Sequence, residues 1–423
     1  PDGRPRSGDR ILVDKVRYLL HEPRRYEVAV FHYPLNARRN FIKRIIGLGG
    51  ETLRLIDGDI WVSRDEGASW KIQRKPEGVR DQLLLDYYPE PVDARGAFAD
   101  GGTWVADSGW SVDEVARKFE VAVGAEAASL TFDRKLLRYR EVDRDRHRDP
   151  AVPFVGDARI TFGLTVRKAG QLEVHITEHG LTHQLVLGAS GSYVRSAGDP
   201  GITQNLDVRL EEGGEYSVSF ANVDDTLVVD VAGERVVLEF PCPYGNPPDM
   251  TVALTNGEWF DHDIVLVAQN LEAEINEIDI DRDVYYLEGH GWSEYKGKIQ
   301  WEIPEDSYFM LGDNNGSSRD SRLWTITRAT LKDGRIIEWD TSDDEEVSNY
   351  HGSHPSDDRL VVVEEDVAGT YHEFWGRDVQ DWEAVVGSPF VPRSNLIGRA
   401  LAVFWPIHIP RVYPGPSRIK LIR

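Results

Sequence analysis

Apolar and polar residues alternate over much of this chain, the period-two pattern of strands with one buried face. The alternation is most regular between residues 158 and 240, and it returns in a short apolar run at 264–267. These runs recur about every 8 to 12 residues with turn residues between them, as in β-sandwiches. We therefore predict an all-β chain whose middle part, residues 69–285, is a β-sandwich. The positions that define the inward face include Ile160, Phe162, Leu164, Leu172, Val174, Ile176, Val218 and Phe220.

The amino-terminal part has the same strand character with shorter connections. Residues 8–34 indicate a strand, a turn at 22–25 and a second strand that stops at Pro34. A third strand follows and closes on the glycine turn 47–50. Apolar runs then flank the dipeptide at 57–58, an Asp-Gly pair of the kind that supplies the positive φ of a tight hairpin.

The third strand carries a lysine inside an apolar run, Phe41 to Ile46. A buried ammonium without a partner is costly, so such a lysine tends to lose its proton and become a neutral amine. Lys43 is therefore a candidate general base. The alternative is that Lys43 faces solvent while Ile42 points into the core, because most strand lysines are solvated.

A second unusual stretch runs from Gly312 to Arg322, eleven residues without an aliphatic side chain. Asp and Ser side chains in such a loop hydrogen-bond the local backbone, and Asp320 and Arg322 can form an ion pair. We predict a densely hydrogen-bonded loop, directly after the short apolar strand Tyr308 to Leu311.

Other stretches have weaker patterns. Residues 69–157 look irregular, apart from a capping box, Ser111 to Glu114, that predicts a short helix to about Lys118. Residues 325–390 contain turn-forming and acidic stretches and a predicted strand at 360–363, and no function is assigned to them.

Composition narrows the class of protein. Forty-two aromatic residues and thirty-eight glycines suit an all-β fold. The net charge of −23 argues against a nucleic-acid partner, although residues 1–44 carry eleven Lys/Arg against five Asp/Glu, a basic end that could contact anionic headgroups. The single cysteine, Cys242, excludes an internal disulfide. No signal peptide or membrane span is apparent, and the chain begins without methionine, so we expect a processed or cloned fragment.

We predict no metal ligands and no cofactor. His175, His179 and His183 have helical spacing, but their segment alternates as two strands around a turn at Gly180, so they would not share one face. The stretch 279–290 opens like a calcium loop, but its sixth position is Val284 and its twelfth is His290, which excludes an EF-hand.

The lysine strand and the polar loop become specific when they are considered together. Ile42-Lys43-Arg44-Ile45-Ile46-Gly47, followed far downstream by Gly-Asp-Asn-x-x-x-Ser-x-Asp-Ser-Arg, resembles the bacterial type I signal peptidases, membrane-bound serine-lysine leader peptidases. The resemblance covers roughly 140 residues in five ordered blocks and extends to the segments 8–13, 28–34, 57–58, 304–309 and 391–400.

The resemblance implies roles for particular residues. Lys43 matches the neutral lysine of a serine-lysine dyad, and Ser318 matches the serine that orients it. Gly312, Asp313, Asp320 and Arg322 match the supporting loop. The substrate, a precursor protein bearing a signal peptide, is expected to bind as an added strand whose small residues enter shallow apolar pockets. The matching pocket positions are Ile11, Val30, Phe41 and Ile42.

The nucleophile is the main departure from the family pattern. The family places its serine in a Ser-Met-x-Pro-Thr-Leu segment about eight residues before the Gly-Asp pair, and the residues before Gly8 do not match. We expect the serine and a membrane helix to lie upstream of Pro1, and we predict that the chain as printed is inactive. Ser7 is disfavoured as a displaced nucleophile because nothing around it resembles the motif.

Three functional interpretations follow. The first is a signal peptidase of the cytoplasmic membrane, its catalytic part on the extracytoplasmic, periplasmic face, close to the lipid surface. The second, a self-cleaving repressor with a serine-lysine dyad, lacks DNA-binding helices or a basic domain. The third is a non-catalytic relic. The segment 214–237 resembles part of a concanavalin-like or laminin-G-like jelly roll. In this third interpretation, its domain would bind glycan or protein; alternatively, the domain is a spacer or a stabilising insert.

The predicted domain organisation is discontinuous. A signal-peptidase-like all-β catalytic domain comprises residues 1–68, 286–324 and 391–423. An inserted jelly-roll β-sandwich comprises residues 69–285, and a second, smaller insertion comprises residues 325–390.

Overall fold

The structure is a computed structural model, and it divides into two compact units. Unit 1 comprises residues 1–55, 62–69 and 287–423, and unit 2 comprises residues 56–61 and 70–286. The residues described are 10–56, 58–89, 103–133, 155–178, 180–196, 202–241, 263–286, 300–313, 318–322, 324–340, 360–365, 370–386, 389–405 and 420–422. Ser7, Gly8, Asp9, Asp57, His179 and Cys242 lie outside the described residues, as do residues 314–317 of the polar loop.

Strands make up most of unit 1, as the alternating pattern predicts. The only helices in its described part are the short α1 (Arg17–Leu20) and 3₁₀ turns at Gly376–Asp378 and Arg393–Asn395. The strands, numbered in chain order through both units, are β1 (Arg10–Asp14), β2 (Val28–Tyr33), β3 (Asn36–Gly47), β4 (Thr52–Ile56), β22 (Gln300–Glu302), β23 (Ser307–Leu311), β24 (Thr325–Leu331), β25 (Ile336–Asp340), β26 (Leu360–Glu365), β27 (Thr370–Trp375), β28 (Val379–Val386), β29 (Phe390–Pro392), β30 (Leu396–Trp405) and β31 (Lys420–Leu421).

The main sheet of unit 1 brings distant parts of the chain together. Its strand order is β1-β30-β2-β3-β23-β29, with β31 added to β30, and all pairs are antiparallel. The apolar core under this sheet includes Phe31, Ile45, Met310 and Trp324. Because β3 pairs with β23, the lysine strand and the strand that leads into the polar loop are neighbours. The strand predicted at 360–363 is β26, which pairs with β27.

Unit 2 contains the predicted β-sandwich. Its first segment, residues 56–61, begins at the last residue of β4 and ends within β5 (Asp59–Ser63). Residues 62–69 belong to unit 1, and the rest of unit 2 begins at residue 70. Its helix is α2 (Glu77–Leu83). Its other strands are β6 (Lys71–Ile72), β7 (Leu85–Tyr88), β8 (Trp104–Ala106), β9 (Trp110–Asp113), β10 (Lys118–Ala122), β11 (Ala128–Phe132), β12 (Ala158–Lys168), β13 (Gln171–Glu178), β14 (Leu181–Gly188), β15 (Ser192–Ser196), β16 (Thr203–Leu206), β17 (Glu215–Asn222), β18 (Thr226–Val231), β19 (Glu234–Glu239), β20 (Asp263–Gln269) and β21 (Glu272–Arg282).

Two antiparallel sheets form the sandwich of unit 2. One has the order β19-β18-β17-β12-β21-β10-β9, with β7 beside β21, and the other has the order β16-β15-β14-β13-β20-β11-β8. Rings from both sheets meet between them: Trp104 of β8 lies 5.6 Å from Phe119 of β10, centroid to centroid. Burial alternates along β12 and β13, so the period-two prediction of a mainly β fold with a sandwich is confirmed.

Two local predictions are wrong. Residues 69–157 are not irregular throughout, since β6 to β11 and α2 lie among them. The capping box does not start a helix: Ser111 lies in β9 opposite Glu120 of β10. The Glu114 carboxylate instead accepts hydrogen bonds from the backbone N–H groups of Thr103 and Trp104. Sheet pairing therefore overrides the local helix signal, as tertiary contacts often do.

The predicted hairpin after the lysine strand is present, with Gly58 at φ +90° between β4 and β5. Within the described residues, none of the helices has the length and apolar content needed to cross a bilayer.

Candidate functional site

Strand β3 determines which way Lys43 points. Lys43 lies opposite Ala29 of β2, and the alternation of a regular strand puts Phe41, Lys43 and Ile45 on one face and Ile42 on the other. Ile45 is fully buried, whereas Ile42 is 37% exposed. The interpretation in which Ile42 points inward and Lys43 faces solvent is therefore wrong.

The Lys43 amine meets the hydroxyl of a residue 275 positions away. Lys43 Nζ lies 2.7 Å from Ser318 Oγ, and Ser318 is only 6% exposed. Burial is the largest influence on the pKa of Lys43 and lowers it. The Asp320 carboxylate opposes this shift, the Arg322 guanidinium lowers the pKa further, and Asp313 opposes it again. The net result is an amine that loses its proton more easily than a solvated lysine.

Asp320 organises the described part of the polar loop. Its carboxylate is fully buried and forms a two-pronged ion pair with Arg322, with distances of 2.8 Å to Nε and 2.6 Å to Nη2. It also accepts the backbone N–H of Gly312 at 3.1 Å. The predicted Asp320–Arg322 pair is therefore present, and it ties the two ends of the loop together.

Arg44 is a residue that sequence reasoning did not single out. Its Nε and Nη2 donate to the two carboxylate oxygens of Asp313 at 2.8 and 2.7 Å. Its Nη1 donates to the backbone carbonyl oxygen of Tyr26 at 2.8 Å. Arg44 thus connects the lysine strand directly to the polar loop. The available signal was its position next to Lys43 in the motif.

An aromatic cluster lies beside the amine, and sequence reasoning named only Phe41 from it. The Phe41 ring stacks on Tyr33 with centroids 4.5 Å apart, and the fully buried Trp324 contacts both rings. Lys43 Nζ is 6.0 Å from the Phe41 centroid. Phe41 therefore links the amine to this buried aromatic cluster.

The four predicted pocket positions are not all adjacent. Val30 and Ile42 are direct partners across β2 and β3, so they share a face, while Phe41 belongs to the opposite face with Lys43. Strand β30 lies between β2 and β1. Its Gly398 is opposite Val30 of β2, and its Val403 is opposite Ile11 of β1. Those two contacts are separated by ~16 Å of extended strand, which places Ile11 apart from the Val30–Ile42 pair.

This arrangement suits proton transfer rather than metal or redox chemistry. It presents a largely desolvated amine, a hydroxyl that can orient the amine, and two ion pairs that hold the described parts of the polar loop. Such an amine can take a proton from a serine hydroxyl and later return it to a leaving group.

Comparison with known proteins connects this geometry to a family. The family model "Signal peptidase, peptidase S26" matches residues 5–87 and 265–337, which include Lys43 and the polar loop. These two segments are similar to the signal peptidase family, peptidase S26. The resemblance stated from the two motifs is thereby confirmed.

Curated signal peptidases match shorter stretches. Signal peptidase I of Aquifex aeolicus is 54% identical over 46 residues, which is 11% of this chain and 18% of that protein. Probable signal peptidase I-2 of Synechocystis sp. is 39% identical over 61 residues, covering 13% and 28%. Signal peptidase I of Leptolyngbya laminosa is 35% identical over 77 residues, covering 16% and 37%. This chain therefore spans well under half the length of these relatives.

Solved structures resemble part of the chain only distantly. The carbohydrate-binding module CBM66 from Bacillus subtilis covers 42% of this chain and 93% of its own, at 6% identity and a TM-score of 0.27. The exoplasmic/lumenal domain of VIP36, in a Ca²⁺/Man3GlcNAc-bound form, covers 43% and 83%, at 7% identity and a TM-score of 0.28. The description of unit 2 rests on its own strand pairing.

Proposed function

We propose that unit 1 is the catalytic part of a serine endopeptidase that removes signal peptides from exported proteins, with Lys43 as general base. The observation that carries this proposal is the 2.7 Å contact between Lys43 Nζ and Ser318 Oγ, next to a loop held by the Asp320–Arg322 pair. The lowered pKa of Lys43 supports it, because a general base must be unprotonated at working pH. The match to the signal peptidase family agrees with it.

The proposed chemistry needs a serine nucleophile and one lysine. The neutral Lys43 amine takes the proton of the serine hydroxyl as its oxygen attacks the scissile carbonyl. The resulting ammonium returns that proton to the leaving amine, and an acyl-enzyme remains. A water molecule then gives a proton to Lys43 as its oxygen attacks the ester, and the ammonium returns this proton to the departing serine oxygen, which restores the serine hydroxyl and the neutral amine. Ser318 acts as a positioning residue that keeps Nζ aimed at the hydroxyl.

The nucleophilic serine lies outside the described residues in this proposal. We expect it to precede the printed chain, together with a membrane anchor, so the printed chain by itself cleaves nothing. The same expectation places the enzyme in the cytoplasmic membrane, its catalytic part on the extracytoplasmic side.

The edge of β3 supports binding of the precursor as an added strand. Strand β23 pairs with β3 only from Arg44 to Gly47. Among the residues that the structure describes, Phe41 and Lys43 have a strand partner only on the β2 side. An extended peptide on the other side would gain backbone hydrogen bonds and run past the amine. Ile42 and Val30 would then offer apolar contacts to small side chains.

The decisive experiment compares cleavage of a signal-peptide-bearing precursor by the printed chain, by the full-length gene product and by its variants. We expect cleavage only by the full-length protein, and a loss of about 100-fold or more in Lys43→Ala. Lys15→Ala, which removes an exposed lysine, should leave the rate unchanged.

Three results would contradict the proposal. One is wild-type cleavage by Lys43→Ala, and another is Lys43-dependent turnover by the printed chain. The third is a folded full-length protein that cleaves no precursor, and this result would favour the non-catalytic alternative, in which the sandwich binds glycan or protein. No contact within the described residues favours a ligand of that kind, so it stays a prediction.

A further inference from the structure

A group of acidic side chains, half-buried at Asp59 and Asp157 and buried at Asp224 and Asp283, gathers at one end of the unit 2 sandwich. Ala158 at the start of β12 pairs with Asn222 at the end of β17 and with Arg282 at the end of β21. The next residues beyond these strand ends therefore come together. They include Asp157 and Asp224, while Asp59 enters the group from the start of β5.

The geometry of three of these carboxylates matches a single cation. Asp59, Asp157 and Asp224 each offer an oxygen, and the three oxygens lie within 4.8 Å of one another. Oxygens bound to one Ca²⁺ at about 2.3–2.6 Å are at most ~5 Å apart, so the three can share an ion. Asp157 and Asp224 are also held together directly, since the backbone N–H of Asp224 donates to Asp157 Oδ2 at 3.1 Å.

The charge of the group is not balanced by the cation already present. Lys75 Nζ donates to Asp224 and, at 2.7 Å, to Asp283, and all three side chains are buried. The Lys75 ammonium faces four carboxylates, counting Asp59 and Asp157. The buried Arg282 guanidinium at the end of β21 donates to the backbone carbonyl oxygen of Asp283. Uncompensated buried charge is costly, so a second positive charge would stabilise the group.

Buried oxygens without hydrogen-bond donors provide an independent observation. Within the described residues, Asp59 Oδ1 and Asp283 Oδ1 have no partner, and Asp283 is only 2% exposed. Asn222 Oδ1 also has no hydrogen-bond partner, and Asn222 is fully buried. The Asn222 amide nitrogen donates to a Glu178 carboxylate oxygen at 2.5 Å. Asn222 lies next to the group, because it pairs with Ala158, the residue that follows Asp157. Buried acceptors normally find a donor, so acceptors left over beside a carboxylate group point to a cation.

We propose that Asp59, Asp157 and Asp224 bind a divalent cation, Ca²⁺ in preference to Mg²⁺, at this end of the sandwich. The donors are oxygens throughout, which excludes the softer metals that prefer nitrogen or sulfur. Ca²⁺ accepts irregular sets of six to eight oxygens, whereas Mg²⁺ demands a near-ideal octahedron. Lys75 would hold Asp224 and Asp283 in place from the other side.

The test measures metal binding by the full printed chain after removal of metals with a chelator. Titration calorimetry and thermal unfolding are followed with CaCl₂ and with MgCl₂ at pH 7.5, against NaCl of equal ionic strength. We expect CaCl₂ to bind and to raise the unfolding temperature, because a ligand that binds only the folded state stabilises it. MgCl₂ should bind at least about 10-fold more weakly.

Matched variants locate the site. Asp59→Asn and Asp157→Asn should each weaken Ca²⁺ binding about 10-fold or more, because each removes a charged ligand. Asp207→Asn makes the same charge change at an exposed position of unit 2 and should bind Ca²⁺ like the wild type. Circular dichroism without metal checks that each variant is folded.

The outcomes separate cleanly. No binding of either ion by the folded wild type at millimolar concentration would overturn the proposal, and this result needs no variant. Wild-type affinity in the folded Asp59→Asn and Asp157→Asn proteins would overturn it as well. Tighter binding of Mg²⁺ than of Ca²⁺ would overturn the choice of ion.

Discussion

Gly312 and Ser318 are packed so closely that a methyl group on Gly312 would lie 1.9 Å from Ser318 Oγ. The same methyl group would lie 3.2 Å from Lys43 Nζ. The absence of a side chain at position 312 is therefore what lets the serine hydroxyl reach the lysine. This steric requirement leads to the first prediction.

Gly312→Ala should displace Ser318 and break its hydrogen bond to Lys43. In a full-length enzyme that cleaves a precursor, we expect at least about a 100-fold loss of kcat/KM, since small misplacements of catalytic groups have effects of this size. Gly124→Ala is the matched control, because its added methyl group meets nothing within 4 Å. Unchanged kinetics in Gly312→Ala would show that the Lys43–Ser318 contact does not matter for cleavage.

The lowered pKa of Lys43 predicts a pH-dependent effect on stability. An amine whose pKa is lower in the folded state binds fewer protons there than in the unfolded state. Through Lys43, the free energy of unfolding therefore increases as pH rises from the folded pKa to the unfolded pKa of about 10.4. Below that pH window Lys43 is protonated in both states, and its buried ammonium lowers the free energy of unfolding by the full amount. Lys43→Met should therefore raise the free energy of unfolding most at low pH, with the gain shrinking as pH increases.

Denaturant titrations of the wild type and Lys43→Met between pH 6 and pH 10 measure this difference. Lys15→Met is the control, because it removes an exposed lysine. A difference for Lys43→Met that is the same at every pH would contradict the lowered pKa.

Two ion pairs of unit 1 should differ sharply in how much the loss of one partner lowers the free energy of unfolding. Asp320 and Arg322 are buried, whereas Arg328 and Glu338 are about 40% exposed, although both pairs have distances of 2.6 Å. Asp320→Ala removes the carboxylate partner of a buried guanidinium and should lower the free energy of unfolding by about 3–5 kcal/mol. Glu338→Ala should change it by less than about 1 kcal/mol. Equal effects in chemical denaturation would refute this assignment.

Trp324 should be important for stability and for the site together. It is fully buried and contacts Phe31, Tyr33 and Phe41. Trp324→Ala opens a cavity in this cluster and should cost about 3–5 kcal/mol of unfolding free energy. Trp375→Ala, at a residue that is 38% exposed, should cost far less. A Trp324→Ala protein as stable as the wild type would mean that the cluster is not tightly packed.

Much of the local structure could be predicted because it depends on neighbours in sequence. Alternation along β12 and β13 identified strands with one buried face, and the Asp-Gly pair identified the hairpin after β4. The helix predicted from the capping box failed for the opposite reason. Its residues are held by pairing between β9 and β10, a contact that a local signal does not contain.

The amino-acid sequence by itself determined which residues were chemically out of place: a lysine in an apolar strand and a polar loop without aliphatic side chains. It also carried the two motifs that resemble those of signal peptidases. Only the tertiary structure decided that Lys43 faces Ser318, that Arg44 holds Asp313 and that Trp324 encloses Phe41. It likewise gathered Asp59, Asp157 and Asp224. These contacts join residues far apart in the chain, and the pairing of strands that are distant in sequence, which no local pattern contains, is what brings their elements together.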